Sequence, residues 1–190
     1  MVRAFIAVDM SLEAREALAE VIRDLQRTTV SGVRWVRSEG IHLTLKFLGD
    51  IEPAQVESIL DAIGRAAGAT EPFTLALSEL GAFPGPNNPR VIWVGLKGDL
   101  EPLGDLQKKI DHQLHSALGF ALENRPFTPH LTVGRLRDRV SSEDRQAAGI
   151  AIGEGPVRFN VWWQVTKVDL VRSTLTPSGA EYDLLGFRKL

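Results

Sequence analysis

The sequence predicts an α+β fold of two pseudo-symmetric lobes, in which two antiparallel sheets flanked by helices enclose a central cleft. Short strand-like apolar segments alternate with amphipathic helical segments along the chain. The tetrapeptide His42-Leu43-Thr44-Leu45 returns as His130-Leu131-Thr132-Val133, 88 residues later, and the surrounding segments recur at the same offset. We therefore expect one bilobal domain over residues 1–190, with repeats over roughly 1–85 and 91–172 and further C-terminal strands over 173–190.

The first repeat contains strand, helix, strand, helix and strand in turn. Residues 5–8 predict the opening strand, and Ser11 is placed to cap the amphipathic helix that follows it. The strand with the first His-x-Thr motif comes next. Pro53 is typical of a first helical turn, and the helix it opens is expected to end near Gly68. Residues 73–77 predict the last strand of the repeat.

The second repeat follows the same order. Residues 93–96 correspond to residues 5–8, and the helix after them is expected to end at Gly119. The strand with the second motif precedes a short helix, which Ser142 is placed to cap and which is expected to reach Ile150, and a strand over 161–165. The apolar stripe of the first of these helices consists of Leu103, Leu106, Ile110, Leu114 and Leu118.

Two segments rich in proline and glycine predict turns. Gly81 to Pro89 is expected to join the two repeats, and Pro177-Ser178-Gly179 to join the C-terminal strands. In connections of this kind the terminal strands often enter the sheet of the other half. Lobe boundaries are therefore not expected to follow sequence order.

Composition excludes several classes of function. A formal net charge of −2 does not suit a protein that wraps duplex nucleic acid, although one RNA end needs only a local basic groove. The absence of cysteine excludes disulfides and thiol nucleophiles. No apolar run is long enough to cross a bilayer. The apolar run at the start of the sequence is too short for a signal peptide and is followed too early by an acidic residue. We expect a cytoplasmic, monomeric protein without membrane contact.

The His-x-Thr pattern has a chemical meaning within a strand. Residues two apart point to the same face, so His42 and Thr44 share one face while their leucine neighbours pack on the other. His130 and Thr132 follow the same rule. If the two halves are related by a pseudo-dyad, both polar faces meet across one groove. The groove would then hold two imidazoles and two hydroxyls.

Such a groove suits acid–base chemistry on a phosphate. One neutral histidine can deprotonate water while a protonated one gives its proton to a departing oxygen. The hydroxyls of Thr44 and Thr132 can donate hydrogen bonds to the phosphate oxygens. No Asp or Glu lies two or four residues from either motif histidine, so we expect neither a metal nor another cofactor. The remaining histidines, His112 and His115, fall beside the apolar stripe of a helix and are assigned no role.

The two motif regions resemble the two-histidine phosphoesterase superfamily. They read Ile41-His42-Leu43-Thr44-Leu45-Lys46-Phe47-Leu48-Gly49 and Pro129-His130-Leu131-Thr132-Val133-Gly134-Arg135. Within that superfamily the chain is similar to the RNA 2′,3′-cyclic phosphodiesterases, also described as 2′,5′-RNA ligases. The similarity extends over nearly the whole chain, including Arg3 to Val8, Trp35, Pro89 to Trp93, Ser173-Thr174-Leu175 and Tyr182.

The resemblance implies hydrolysis of a terminal 2′,3′-cyclic phosphate to a 2′-phosphomonoester. It makes His42 the proton donor to the 3′ oxygen and His130 the proton acceptor from water. The residues alone leave the opposite assignment open, because the site is pseudo-symmetric. The implied partner is RNA with a 2′,3′-cyclic phosphate terminus, or a cyclic nucleotide.

Two further site residues are expected near the second and first motifs. The resemblance places Arg135 near the substrate phosphate, and the 88-residue offset maps it onto Phe47, which we expect to be a core residue, with stacking on a base as the alternative. Strand parity puts both side chains on the face opposite the histidines unless the strand bulges, which Gly134 would permit. Other basic residues near the motifs, which could steer a polyanion or be solvated charges, are Arg34, Arg37, Lys46 and Arg125.

Three alternatives share the same residues. A 5′-hydroxyl in place of water would give ligation with a 2′,5′ linkage. Another small cyclic phosphate could be the substrate instead of RNA. The third alternative is a non-catalytic protein that binds RNA ends, against which the two intact motifs argue.

Overall fold

The computed structural model describes residues 1–28, 32–154, 159–176 and 179–190. Four helices and nine strands are formed there, together with 3₁₀ turns at Ser38–Gly40 and Pro53–Gln55. The helices are α1 (Leu12–Thr28), α2 (Val56–Ala67), α3 (Leu100–Leu118) and α4 (Ser142–Glu154). The strands are β1 (Val2–Val8), β2 (Val33–Trp35), β3 (Leu43–Ile51), β4 (Phe73–Phe83), β5 (Val91–Gly98), β6 (His130–Leu136), β7 (Trp162–Val165), β8 (Lys167–Thr176) and β9 (Gly179–Lys189).

The strands form two antiparallel sheets, which confirms the predicted fold class. Sheet A has the order β3-β1-β8-β9 and sheet B the order β2-β6-β5-β4-β7. Strand β4 from the first half pairs with β5 in sheet B, and β8 from the second half pairs with β1 in sheet A. Each half thus contributes strands to the other half's sheet, as expected, so the repeat limits are not the limits of the sheets. The division into repeats itself stays a prediction.

The helix ends agree with the capping signals in the sequence. The Ser11 hydroxyl accepts a hydrogen bond of 3.2 Å from the backbone N–H of Ala14 at the start of α1. Helix α3 ends at Gly119, whose φ of 72° is the left-handed conformation that glycine adopts freely. Helix α4 is capped one residue earlier than predicted, because the hydroxyl of Ser141 accepts a 3.0 Å hydrogen bond from the N–H of Asp144, and the helix continues past Ile150 to Glu154.

The predicted turn from Gly81 to Pro89 is wrong at its start. Strand β4 continues through Gly81 to Phe83, and Gly81 pairs with Trp93 of β5. A Cβ atom at Gly81 would lie 2.2 Å from the indole ring of Trp93, so this glycine makes room for a ring within a strand. In the other predicted turn, Pro177 and Ser178 lie outside the described residues, while Thr176 pairs with Gly179.

Both motif strands contain a β-bulge at equivalent positions. In the β1–β3 pair, Ile6 faces Lys46 but Ala7 faces Thr44, so Leu45 is an extra residue of β3. In the β5–β6 pair, the register shift between Ile92 and Trp93 makes Val133 the extra residue of β6. Leu45 and Val133 are 88 residues apart, the offset of the sequence repeat. Each bulge reverses the side-chain parity of the residues after it.

The main core lies where the sheets pack against the helices. Helix α2 contacts α3 as well as β8 and β9, and α3 contacts β3 and β4. A second, smaller cluster of Phe5, Ala7 and Val171, with Tyr182 packed against it, lies apart from the main core. Within the described ranges, none of the helices combines the length and the apolar character needed to cross a membrane.

Candidate active site

A cavity of about 430 Å³ is lined by residues of both motif strands. His42, immediately before β3, and Thr44 of that strand line it together with Thr132 of β6. His42 and Thr44 are partly exposed, whereas Leu43 between them is buried, which is the alternation expected from the sequence. The same alternation holds from His130 to Val133. The structure therefore joins the two motifs at one concave site.

His42 is enclosed by aromatic rings. Its imidazole makes edge contacts with Tyr182, at a centroid distance of 5.0 Å, and with Phe5, at 5.6 Å. The Nε2 atom is buried and has no hydrogen-bond partner in the described part of the chain. Burial is the main cause that lowers the pKa of His42 to about 4, with a further contribution from the positive charge of Arg15 that Asp9 partly offsets. The free protein thus holds His42 neutral at pH 7.

Arg15 of α1 holds the segment that leads to His42. Its Nη1 donates hydrogen bonds of 3.1–3.2 Å to the backbone carbonyls of Ser38, Glu39 and Ile41. Its Nη2 forms an ion pair with Asp9, at the end of β1. Arg15 was not predicted from the sequence, because a charged residue on the polar side of an amphipathic helix does not indicate which distant residue it contacts. Tyr182 was indicated only by the family resemblance.

His130 opens β6 at the side of the cavity. It is not among the lining residues, but it lies two residues before Thr132 on the same face, with no bulge between them. Its Nδ1 lies 2.7 Å from the carbonyl oxygen of Thr128, and its ring meets that of Phe83 edge to face at 5.0 Å. Because a carbonyl only accepts hydrogen bonds, Nδ1 is the donor, and Nε2 of the neutral ring keeps its lone pair.

Phe47 and Arg135 both line the cavity. Strand parity alone would place both side chains on the opposite face, but the bulges at Leu45 and Val133 turn the following residues over, which is the exception expected from the sequence. Phe47 is exposed, so the expectation that it is a core residue is wrong. The bulge in β6 falls at Val133 and not at Gly134. Gly134 instead leaves space for the Trp35 ring, which would lie 3.0 Å from a Cβ atom there.

Lys46 is neither a solvated charge nor a group that could steer a polyanion. It is buried, and its ammonium group forms an ion pair with Asp111 of α3 and donates a 2.8 Å hydrogen bond to the carbonyl of Ala121. The other carboxylate oxygen of Asp111 accepts a 2.9 Å hydrogen bond from the N–H of Glu123. Burial acts to raise the pKa of Asp111, but these hydrogen bonds and the charge of Lys46 lower it overall. Arg34, Arg37 and Arg125 are exposed.

Histidine, aspartate and glutamate side chains do not gather in threes or more around a potential metal position anywhere in the described ranges. His112 is exposed on α3, and the Nδ1 atom of His115 lies 2.9 Å from the carbonyl of Phe120, just beyond the same helix. These contacts assign neither histidine a role at the site.

The lowered pKa of His42 predicts a specific dependence of stability on pH. Between pH 6.5 and about 4 the unfolded chain protonates His42 while the folded chain does not. This contribution to the free energy of unfolding is therefore complete above pH 6.5 and falls as the pH drops, by up to about 3 kcal/mol in total. Urea unfolding at pH 7 and pH 4.5 should show that the free energy of unfolding falls less between these two pH values for His42→Gln than for the wild type. Equal losses would contradict the burial of a neutral imidazole.

The chain is similar to a known family over most of its length. A model described as LigT-like phosphoesterase matches residues 8–93 and 96–182, two segments whose first residues differ by the repeat offset of 88. An RNA 2′,3′-cyclic phosphodiesterase of Methanothermobacter thermautotrophicus is 33% identical over 98% of this chain and 98% of its own length. A protein of the same name from Archaeoglobus fulgidus is also 33% identical, with 95% of this chain and 96% of its own covered.

Solved structures share the same architecture. The protein TT0787 of Thermus thermophilus superposes with a TM-score of 0.79 at 29% sequence identity, covering 99% of this chain and 97% of its own. E. coli LigT complexed with 3′-AMP gives a TM-score of 0.74 at 25% identity, covering 100% of this chain and 98% of its own.

Proposed function

Because the chain belongs to the LigT-like phosphoesterase family, we propose that it hydrolyses the 2′,3′-cyclic phosphate at an RNA end to a 2′-phosphomonoester, with two histidines as acid and base and without a metal ion. The observation that carries the proposal is the single cavity lined by both motif strands. The curated relatives named RNA 2′,3′-cyclic phosphodiesterase support the same reaction.

His130 is the proton acceptor. The hydrogen bond from Nδ1 to the Thr128 carbonyl fixes the ring and leaves the lone pair of Nε2 available for a water proton. As water attacks phosphorus, its proton passes to His130 and the new P–O bond forms. Proton removal of this kind typically contributes a factor of about 10²–10⁴ to the rate.

His42 is the proton donor to the departing 3′ oxygen. His42 has to take up this proton from solvent when the substrate binds, because the pKa of about 4 keeps the ring of the free protein neutral at pH 7. A phosphate anion beside the ring favours the imidazolium form, and a substrate oxygen supplies the partner that Nε2 lacks. When the bond between phosphorus and the 3′ oxygen breaks, the proton moves to that oxygen and the phosphate stays on the 2′ oxygen.

The remaining cavity residues bind the substrate. The hydroxyls of Thr44 and Thr132 and the guanidinium of Arg135 donate hydrogen bonds to the non-bridging phosphate oxygens, where charge builds up in the transition state. The exposed ring of Phe47 stacks on the terminal base. We also propose that the enzyme acts as a monomer. We place it in the cytoplasm, as expected from the cysteine-free sequence.

The decisive experiment is product analysis in the presence of a chelator. Purified protein is incubated with EDTA and an oligoribonucleotide that ends in a 2′,3′-cyclic phosphate, and the product is identified by ³¹P NMR. We expect a 2′-phosphate end and an unchanged rate with and without EDTA. Loss of activity with EDTA would point to a metal, and binding of the oligonucleotide without turnover would favour an RNA-end binding protein. Joining to an added 5′-hydroxyl oligonucleotide, faster than hydrolysis, would favour ligation.

A further inference from the structure

The two rims of the cavity differ in chemistry at positions that the repeat makes equivalent. Phe47 follows the bulge at Leu45 by two residues, and Arg135 follows the bulge at Val133 by two residues. Phe47 is 72% exposed, and its neighbour on the same cavity, Leu175, is 71% exposed. At these equivalent positions sheet A presents an aromatic ring and sheet B a guanidinium, although Arg3 of β1 also lines the cavity from sheet A. The two positions thus suit different parts of a nucleotide, the base at Phe47 and a phosphate at Arg135.

A second arginine stands beside Arg135. Strand β2 pairs with β6 so that the Cα of Arg34 lies opposite that of Arg135. Directly opposed residues of antiparallel strands point to the same face. Val33 and Trp35, on either side of Arg34, pack against the main core, so the side chain of Arg34 leaves the sheet on the other face. That face is the one on which Arg135 lines the cavity.

Among the described residues, no carboxylate pairs with either of these two arginines. Neither guanidinium lies within 4.0 Å of a carboxylate in the described part of the chain. Like charges directly opposite each other on neighbouring strands destabilise a sheet. An anion on this face would offset that repulsion, and a phosphodiester is the anion that an RNA strand provides one nucleotide away from its cyclic end.

We propose that Arg34, together with Arg135, binds the phosphodiester on the 5′ side of the terminal nucleotide, so that the RNA strand reaches the cavity over sheet B while its last base lies over Phe47. The proposal rests on the proposed function, because it assumes that a cyclic phosphate end occupies the cavity. It makes Arg34 a residue that selects oligonucleotides over mononucleotides. A mononucleotide lacks this phosphodiester and does not reach Arg34.

The test compares two substrates with the same reacting group. One is adenosine 2′,3′-cyclic phosphate, and the other is a tetraribonucleotide that ends in the same nucleotide. For Arg34→Gln we expect kcat/KM for the tetranucleotide to fall roughly fivefold, the upper end for the loss of one exposed ionic contact. The value for the mononucleotide should stay within a factor of about two of the wild type. Arg34→Lys should retain most of the discrimination, because it keeps the charge.

The matched control is Lys108→Gln, which removes one exposed charge from α3, away from the cavity. It should leave the ratio of the two kcat/KM values unchanged. The salt dependence gives a second measurement, because Arg34→Gln should reduce the slope of log KM against log salt concentration for the tetranucleotide by about 0.7.

The outcomes separate this proposal from the proposed function. Equal losses on both substrates, or no loss on either, overturn the role of Arg34 while leaving the hydrolysis intact. If the wild type hydrolyses neither substrate, the proposed function fails, and titration with a tetraribonucleotide bearing a 2′-phosphate end tests Arg34 directly. Weaker binding by Arg34→Gln then supports the phosphodiester contact, and unchanged binding overturns it.

Discussion

His130→Ala is expected to reduce kcat for opening of an RNA 2′,3′-cyclic phosphate by a factor of about 10²–10⁴ or more. The variant loses an imidazole whose Nε2 lone pair is positioned by the hydrogen bond from Nδ1 to the carbonyl of Thr128. His42→Ala should cause a loss of similar size. The double variant should lose little more than either single one, because residues that act as one unit are not additive. Steady-state rates with a cyclic phosphate oligonucleotide measure all three.

The matched control is His112→Ala, since His112 is an exposed histidine on α3 with no place in the proposed reaction. Its kcat should remain within a factor of about two of the wild type. Thermal unfolding of each variant separates loss of chemistry from loss of fold. A folded His130→Ala or His42→Ala protein that keeps more than a tenth of the wild-type kcat would falsify the acid–base pair.

Lys46→Met is expected to cost about 3–5 kcal/mol of the free energy of unfolding. The substitution keeps most of the unbranched side chain but leaves the Asp111 carboxylate buried without its counter-charge and the Ala121 carbonyl without its donor. Both contacts also hold the segment between α3 and His130, because Asp111 accepts from the N–H of Glu123. Urea unfolding at pH 7 measures the loss.

Two variants make this prediction specific. Lys108→Met breaks an ion pair on the exposed side of α3, with Asp105, and should change stability by less than about 1 kcal/mol. Adding Asp111→Asn to Lys46→Met should recover part of the loss, because the amide oxygen still accepts from Glu123 and no unpaired charge remains. A cost for Lys46→Met no greater than that for Lys108→Met would show that the buried pair contributes little.

Much of the fold follows from local and repeating features of the sequence. Ser11 and Gly119 mark a helix start and a helix end through backbone requirements that involve only neighbouring residues. The alternation of buried and exposed residues around His42 and His130 depends only on the two-residue period of a strand. The same offset of 88 relates the two motifs, the bulges at Leu45 and Val133, and the two matched segments of the family model.

Features that depend on a partner strand were not predictable in this way. A bulge is a mismatch between two strands, so the parity of Phe47 and Arg135 could not be read from β3 or β6 alone. The extension of β4 through Gly81 depends on the Trp93 ring of β5, although glycine in isolation is typical of a turn. Both differences have the same cause, because the register of a strand is set together with the strand it pairs with and not by its own sequence alone.

The sequence by itself determined the two-sheet architecture, the paired His-x-Thr strands and the acid–base chemistry that they suggest, because these rest on short-range periodicity and on repetition. Only the tertiary structure decided the burial of Lys46 against Asp111, the hold of Arg15 on the segment before His42, and the position of Arg34 beside Arg135. The physical reason is distance along the chain. These contacts join residues of different elements, and the neighbouring residues in the sequence do not indicate which partner each of them contacts.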